Sequence, residues 1–294
     1  MADLPIFIVD AFTREPFAGN PAAVCLLLHD QTMKDGLLQK IASEMNLSET
    51  AYVQCLSENG SFEKDDTFSL RWFTPTREVP LCGHATLASA ATLFFCAGNT
   101  NCTLTFQSLS GPLLARRTGD SGITLDFPLN PAQPHDKDAV KTILQEICGL
   151  EHVSDVQYSR TTRKLLVRLK DELTRDFLEG LAPDPRALQA SDISGDVMGV
   201  IVTLKGHPDE HGYDFFSRYF APWNGIPEDP VTGSAHTVLA DYWSKQLGKT
   251  SFKARQCSQR GGDLEVNIAG NRVELTGNAR VVLKGTLSNV DLDC

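Results

Sequence analysis

Glu49, Cys82, His84, Asp229 and Ser234 are the residues of this 294-residue chain whose types and settings invite chemistry. Glu49 closes Asn46-Leu47-Ser48-Glu49, at a junction between a helix-like and a strand-like stretch, where a loop can hold a carboxyl on a rigid scaffold. Placed so, it can take and return a proton; otherwise a glutamate there is a solvated surface group. Cys82 and His84 offer a thiol and a base. Two residues apart, their side chains are expected to diverge, so Cys82 reads first as a buried structural thiol. Asp229 precedes Pro230 and a helix start, and either belongs to the site or only caps that helix. Ser234 lacks the G-x-S-x-G setting of an activated serine, and His236 is near it only in sequence. No acyl-transfer triad is expected. His207-Pro208-Asp209-Glu210-His211 matches the zinc pattern H-x-x-E-H, which needs both histidines on one helix. Gly206, Pro208 and Gly212 predict a solvated loop instead, and no metal site is expected. With neither G-x-G-x-x-G nor a P-loop in the chain, no nucleotide cofactor is implied.

The stretch that must position these groups runs from Arg71 to Phe95, and the chain contains it twice. Arg71-Trp72-Phe73-Thr74-Pro75 returns as Arg218-Tyr219-Phe220-Ala221-Pro222, 147 residues on, half of the 294. Glu78-Val79-Pro80-Leu81-Cys82-Gly83-His84-Ala85 returns as Glu228-Asp229-Pro230-Val231-Thr232-Gly233-Ser234-Ala235, a further three-residue insertion having entered after Pro222. Each copy reads as a strand, a proline turn and a helix opened by a glycine. From Ala85 to Phe95 apolar residues fall on every face, which predicts a helix buried all round and a curved sheet wrapped about it. The second helix, about Gly233 to Leu247, carries Asp241 and Lys245 and should be less enclosed. A helix N-terminus leaves N–H groups unpaired and carries partial positive charge, and glycine lets a ligand approach it. Gly83 and Gly233 are thus candidate anion contacts, or simply glycines that permit tight turns. The positions that differ between copies, Val79/Asp229, Cys82/Thr232 and His84/Ser234, are where chemistry can have diverged.

Length and repeat together predict two halves: residues 1–129, with the last strand (280–290) as its candidate completion, and 130–279, with the active-site cleft between them. A net charge of −10 argues against nucleic acid and requires local positive dipoles for any anionic substrate. The N-terminus lacks the basic and apolar regions of a signal peptide, and Pro21–Leu28, the longest apolar run, is far short of a membrane span. Eight scattered cysteines without a C-x-x-C pair suit reduced thiols in a cytoplasmic protein. Strands are expected at 4–12, 21–28, 49–56, 69–73, 102–109, 113–117, 123–129, 153–158, 165–169, 200–204, 252–255, 264–268, 272–276 and 280–287, the last ones as hairpins. Helices are expected at 31–45, stopped by Asn46, and at 139–147, 174–181 and 186–190.

Taken together, Gly19-Asn20-Pro21-Ala22-Ala23-Val24, Asn46-Leu47-Ser48-Glu49-Thr50, Arg71–Pro75, Cys82-Gly83-His84-Ala85-Thr86 and Glu228–Ala235 closely resemble the PhzF, or phenazine-biosynthesis-like, family over nearly the whole chain. The resemblance implies the α+β diaminopimelate-epimerase fold, two pseudo-symmetric halves each with a curved sheet or barrel around a central helix. It implies a cofactor-independent isomerase moving a proton on a small anionic carboxylic acid. Glu49 falls on the family's catalytic acid/base, His84 and Asp229 on supporting catalytic positions, and Asn20, Gly83, Gly233 and Ser234 on substrate contacts. Diaminopimelate epimerases place a cysteine in each half; here Cys82 keeps the first position and Thr232 occupies the second. Two-thiol racemisation is therefore not expected, and a one-carboxylate shuttle is. Burial should raise the Glu49 pKa toward the working pH. The family's alias also leaves room for a WD-repeat protein partner, and a homodimer is a further expectation. The competing reading is a catalytically idle interaction scaffold that keeps the family cleft.

Overall fold

A computed structural model describes residues 2–207 and 212–292 of the chain. All of the H-x-x-E-H pattern after His207 lies outside the described residues. The chain divides into two units, Met1–Asp126 with Thr276–Cys294, and Phe127–Leu275.

Unit 1 begins with β1 (Ala2–Ala11), β2 (Asn20–Leu27), α1 (Asp35–Met45) and β3 (Glu49–Cys55). It continues with β4 (Thr67–Phe73), β5 (Glu78–Val79), α2 (Gly83–Phe95), β6 (Thr103–Ser108), β7 (Gly111–Thr118) and β8 (Gly122–Pro128). Residues 31–34, expected as helix, are not: α1 starts only after Lys34. It stops at Asn46, in the left-handed region at φ 49°, as a residue that tolerates that conformation should. All of α2 from His84 to Phe94 is buried. Its polar residues survive burial because their hydroxyls bond their own helix, Thr86 to the Cys82 carbonyl (2.6 Å), Ser89 to Ala85 (2.7 Å) and Thr92 to Ala88 (3.0 Å).

Unit 2 opens with β9 (Gln133–Pro134), α3 (Lys141–Ile147), β10 (Val153–Ser159), β11 (Lys164–Leu169), α4 (Arg175–Glu179) and α5 (Pro185–Ala190). Then come β12 (Gly199–Lys205), β13 (Phe215–Phe220), α6 (Gly233–Leu247), β14 (Ser251–Gln256) and β15 (Gly262–Ala269). Helices α3, α4 and α5 cover one sheet face through Ile143, Ile147, Leu178 and Leu188 packed with Val200, Val202, Phe216 and Phe220. The other face meets α6: Phe215 stacks on Trp243 (5.5 Å), and Trp243 Nε1 donates to Thr203 Oγ1 (3.1 Å). Burial on both faces accounts for the unalternating apolar runs of these strands. The last turn of α6 carries an exposed Lys245 paired to Asp241 (2.7 Å), so α6 is less enclosed than α2.

The end of the chain departs from expectation. The two closing strands expected at 272–276 and 280–287 are one, β16 (Arg272–Val290). Between the two expected strands lies Gly277, where a Cβ would lie 2.4 Å from Cδ1 of buried Phe12 and 3.3 Å from Leu87 of α2. The glycine lets the strand pass over that ring. In unit 1 the strand order β1-β2-β3-β4-β6-β7-β8-β16 is closed by the β1–β16 pairing, giving an eight-stranded barrel around α2. In unit 2 the order is β16-β15-β14-β13-β12-β11-β10-β9.

Candidate active site

Unit 1 brings four of the expected residues together. Asn20 starts β2, Glu49 starts β3, parallel to β2 with Ala22 opposite Glu49, and Gly83 and His84 open α2. Glu49 and His84 are 7% and 5% exposed. His84 Nε2 lies 3.1 Å from Glu49 Oε2 and 3.3 Å from Ser48 Oγ. Its Nδ1 lies 3.1 Å from Asn20 Nδ2 and 3.4 Å from Cys82 Sγ. The amide nitrogen of Asn20 can serve only an unprotonated Nδ1. Charging the ring calls for the amide to turn and present its oxygen.

The expected divergence of Cys82 and His84 does not occur. Cys82 is the extended residue before the helix (φ −145°, ψ 113°), so helical spacing does not separate the pair. The expected rise of the Glu49 pKa is also corrected. Burial does push it upward, but the charge and hydrogen bond of His84, with bonds from Ser48 and Cys82, outweigh this and hold it below the ordinary 4.5. Burial opposes charging His84, yet Cys82 and Glu49 raise its pKa well above 6.5. Burial and the nearby carboxylate push the Cys82 thiol itself up to about 11, so at neutral pH Glu49 supplies the negative charge. The resting pair is carboxylate and imidazolium.

Donor atoms of Glu49, Cys82 and His84 lie within 4.8 Å of one another, a set that suits a thiophilic cation by type. The ring, however, stands between the other two, with Nδ1 toward the thiol and Nε2 toward the carboxylate. One ion cannot use all three without turning it, so the arrangement fits a proton pair better than a metal.

Unit 2 holds Asp229, Gly233 and Ser234. Asp229 does not cap α6: the residue before the helix is Thr232, and no side chain caps it. Instead the Thr232 hydroxyl donates to Asp229 Oδ2 (2.5 Å). Buried Gln256 clamps the turn, its Nε2 donating to the Asp229 carbonyl (2.6 Å) and its Oε1 accepting from Thr232 N–H (2.8 Å). Gly233 is buried and Ser234 exposed. His236 turns away from any triad role, its Nδ1 meeting the Thr232 carbonyl at 2.8 Å.

Strand register extends the repeat beyond its sequence motifs. In unit 1, Thr50 pairs with Phe73 and Ala51 with Trp72; in unit 2, Val200 pairs with Phe220 and Ile201 with Tyr219. The counterpart of Glu49 is therefore Gly199. A Cβ at Gly199 would fall 2.1 Å from the Tyr219 hydroxyl, so tyrosine fills the space where unit 1 keeps its acid. Opposite Gly199 lies Lys164, the counterpart of Ala22, with Nζ 5.3 Å over the Tyr219 ring. Burial lowers its pKa to about 8, against the pull of Asp229. Sequence reading missed Ser48, Lys164, Tyr219 and Gln256 as candidate site residues and gave Thr232 no bond to Asp229. Ser48 and Thr232 were within quoted motifs, whereas Lys164 and Gln256 carry no local signal and are found only through pairing.

A barrel closed around a buried helix, in a chain that repeats the strand–turn–helix unit, is the α+β fold of diaminopimelate-epimerase-like proteins, and far more distant racemases and epimerases share it. The chain belongs to the phenazine biosynthesis-like protein family (PhzC-PhzF), whose profile matches residues 9–285. It is 54% identical to mouse phenazine biosynthesis-like domain-containing protein 1, covering 97% of this chain and 99% of the relative. It is 43% identical to an uncharacterized isomerase of Pseudomonas aeruginosa, covering 97% and 99%. The crystal structure of a PhzF family protein from Enterococcus faecalis superposes with a TM-score of 0.81 at 38% identity, covering 97% and 99%. No helix among the described residues is long and apolar enough to cross a membrane.

Proposed function

We propose that this protein is an isomerase or epimerase that moves a proton on a small carboxylic acid, without a cofactor, using Glu49 as its single proton shuttle. One observation carries this. Glu49 and His84 are both buried with Nε2 3.1 Å from Oε2, so a carboxylate and its proton partner are held together away from bulk water. A substrate C–H directed at this carboxylate would meet a base already ionised at neutral pH, with the imidazolium beside it to balance charge as it develops.

In this reading the resting carboxylate takes a proton from a carbon acidified by conjugation. The protonated Glu49, made a stronger acid than usual by His84, returns it to another carbon of the same substrate. His84 stabilises negative charge while it develops. No side chain caps α2, so the N–H groups opening it at Gly83 are available to a substrate carboxylate, with Asn20 bonding nearby. We assign Gly233 and Ser234 the same role at uncapped α6 and give Asp229, held by Thr232 and Gln256, the orienting of substrate. The bacterial relative named as an isomerase supports the class, and Gly199 in place of a second acid supports the single shuttle.

The test is incubation with pools of carboxylic-acid metabolites in heavy water. The expected outcome is deuterium uptake into one component, abolished by Glu49→Gln while circular dichroism is unchanged. Uptake that survives the substitution removes Glu49 from the mechanism. Absence of uptake from every pool favours the scaffold reading, in which the site has been kept for a protein partner such as a WD-repeat protein.

A further inference from the structure

A cavity lies wholly within unit 2 and uses none of the candidate active-site residues. It measures about 800 Å³, within the usual range for small-molecule sites. Val140, Ile143 and Val197, all buried, supply apolar surface to its lining. Tyr158 and His135 line it too, their rings 5.6 Å apart, and the Tyr158 hydroxyl is anchored to the Asp196 carbonyl at 2.6 Å. Arg160 and Arg163 enter from the turn between β10 and β11. Arg163 holds a left-handed backbone (φ 53°), which a side-chain-bearing residue adopts at a cost, and its carbonyl is pinned by Met198 N–H at 2.8 Å.

Among the described residues neither guanidinium has an ion pair or a side-chain hydrogen bond, in a chain whose net charge is −10. Two carboxylates share the lining. That of Asp192 is turned into its own loop, accepting from Ser194 N–H (3.0 Å), Ser194 Oγ (2.7 Å) and Val197 N–H (3.1 Å). Asp196 is the acid left to oppose an incoming anion. Apolar surface beside flat rings and two planar cations recognises a ring with a negative group, since guanidinium pairs carboxylate and phosphate oxygens in a fork.

We propose that this cavity binds a small planar anion, an aromatic carboxylate or aryl phosphate, with its ring against Tyr158 and His135 and its charge on Arg160 and Arg163. The experiment titrates the full chain with benzoate and phenyl phosphate, with acetate and benzyl alcohol as controls. Trp223 fluorescence reports on the loop, because its Nε1 donates to the Asp192 carbonyl (2.9 Å), and amide shifts of residues 191–197 confirm the location. Saturable binding of the ring anions is expected, weakened roughly tenfold by Arg160→Gln with Arg163→Gln and by a rise to about 0.5 M salt. Asp196→Asn should tighten it, a gain that misfolding cannot imitate, and Glu49→Gln should leave it unchanged. No saturation below about 10 mM, far weaker than a specific small-molecule site, overturns the proposal. So does binding that ignores both arginines, or acetate binding as well as benzoate. Loss in Glu49→Gln would place the ligand at the Glu49 site and overturn it equally.

Discussion

Glu49 and Lys164 show how burial acts on opposite charges. Glu49 escapes the upward push of burial because His84 is beside it, and the pair remains ionised. Each half of the pair favours the native state in its own range. The lowered Glu49 contributes above pH 4.5 and is lost as pH falls through its native value; the raised His84 contributes below pH 6.5 and is lost as pH rises through its native value. Lys164 has only partial compensation from Asp229 and the Tyr219 ring. The unfolded chain keeps its proton up to about 10.5, whereas the native chain releases it near 8. Between those values the unfolded state binds more protons, so stability rises with pH. The penalty is complete below pH 8 and gone above 10.5. Lys164→Met should therefore stabilise the protein at pH 7 by about 1–2 kcal/mol, the relief of burying charge less a lost cation–π contact. Denaturant titrations at pH 7 and pH 10 would show the gain shrinking; a gain that grows with pH contradicts this account. Residue types at the site were legible in the sequence, since Glu49 and His84 stand in recognisable settings. Their charge states were not, because these depend on which groups face each other.

At the scale of elements, the repeated block owes its form to an ion pair made twice. Arg71 grips Glu78 with both Nε (2.7 Å) and Nη2 (2.8 Å), and Arg218 grips Glu228 in the same way (2.6 and 2.7 Å). Each pair ties a strand to the segment before the proline turn that aims the following helix. The copies differ in burial: the Arg71 side chain is 31% exposed and Arg218 8%, and Arg218 also donates to the Leu178 and Glu179 carbonyls (3.1 Å each). The glutamates left behind are alike in exposure, 24% and 23%. Removing buried Arg218, however, also leaves the Leu178 and Glu179 carbonyls without their donor, a loss of about 3 kcal/mol in all, whereas a half-exposed pair is worth about 1 kcal/mol. Arg218→Met should destabilise by about 3 kcal/mol and Arg71→Met by about 1, read as denaturant midpoints at constant slope. Equal losses would mean that burial does not separate the two copies. Most elements could be read from periodicity and turn residues. β16 differed, expected as two strands and found as one, with Gly277 admitting the Phe12 ring between them.

At the scale of the molecule, β16 takes part in both units. It leaves β15 in unit 2 and, from Ala279 to Val290, runs beside β1 in unit 1. A chain ending at Leu275 would keep every residue of the Glu49 site but lose the strand that closes its barrel. Open strand edges invite association. Such a truncation should expose β1 amides to rapid hydrogen exchange and drive aggregation; protection of β1 equal to that of the full chain would refute the closing role of β16.

The amino-acid sequence was sufficient for what is local or periodic: the duplicated unit, the helix apolar on every face, the Asn46 stop, the glycine-opened helices and the family that their motifs define. Spacing along the chain carries such information because backbone geometry repeats every two or 3.6 residues. Only the tertiary structure decided which strand faces which, and so that Gly199 is the counterpart of Glu49, that Cys82 and His84 converge, and that Lys164 lies over Tyr219. Those facts belong to pairs far apart in sequence, joined by strand register and by packing against α2 and α6, and no local pattern encodes them.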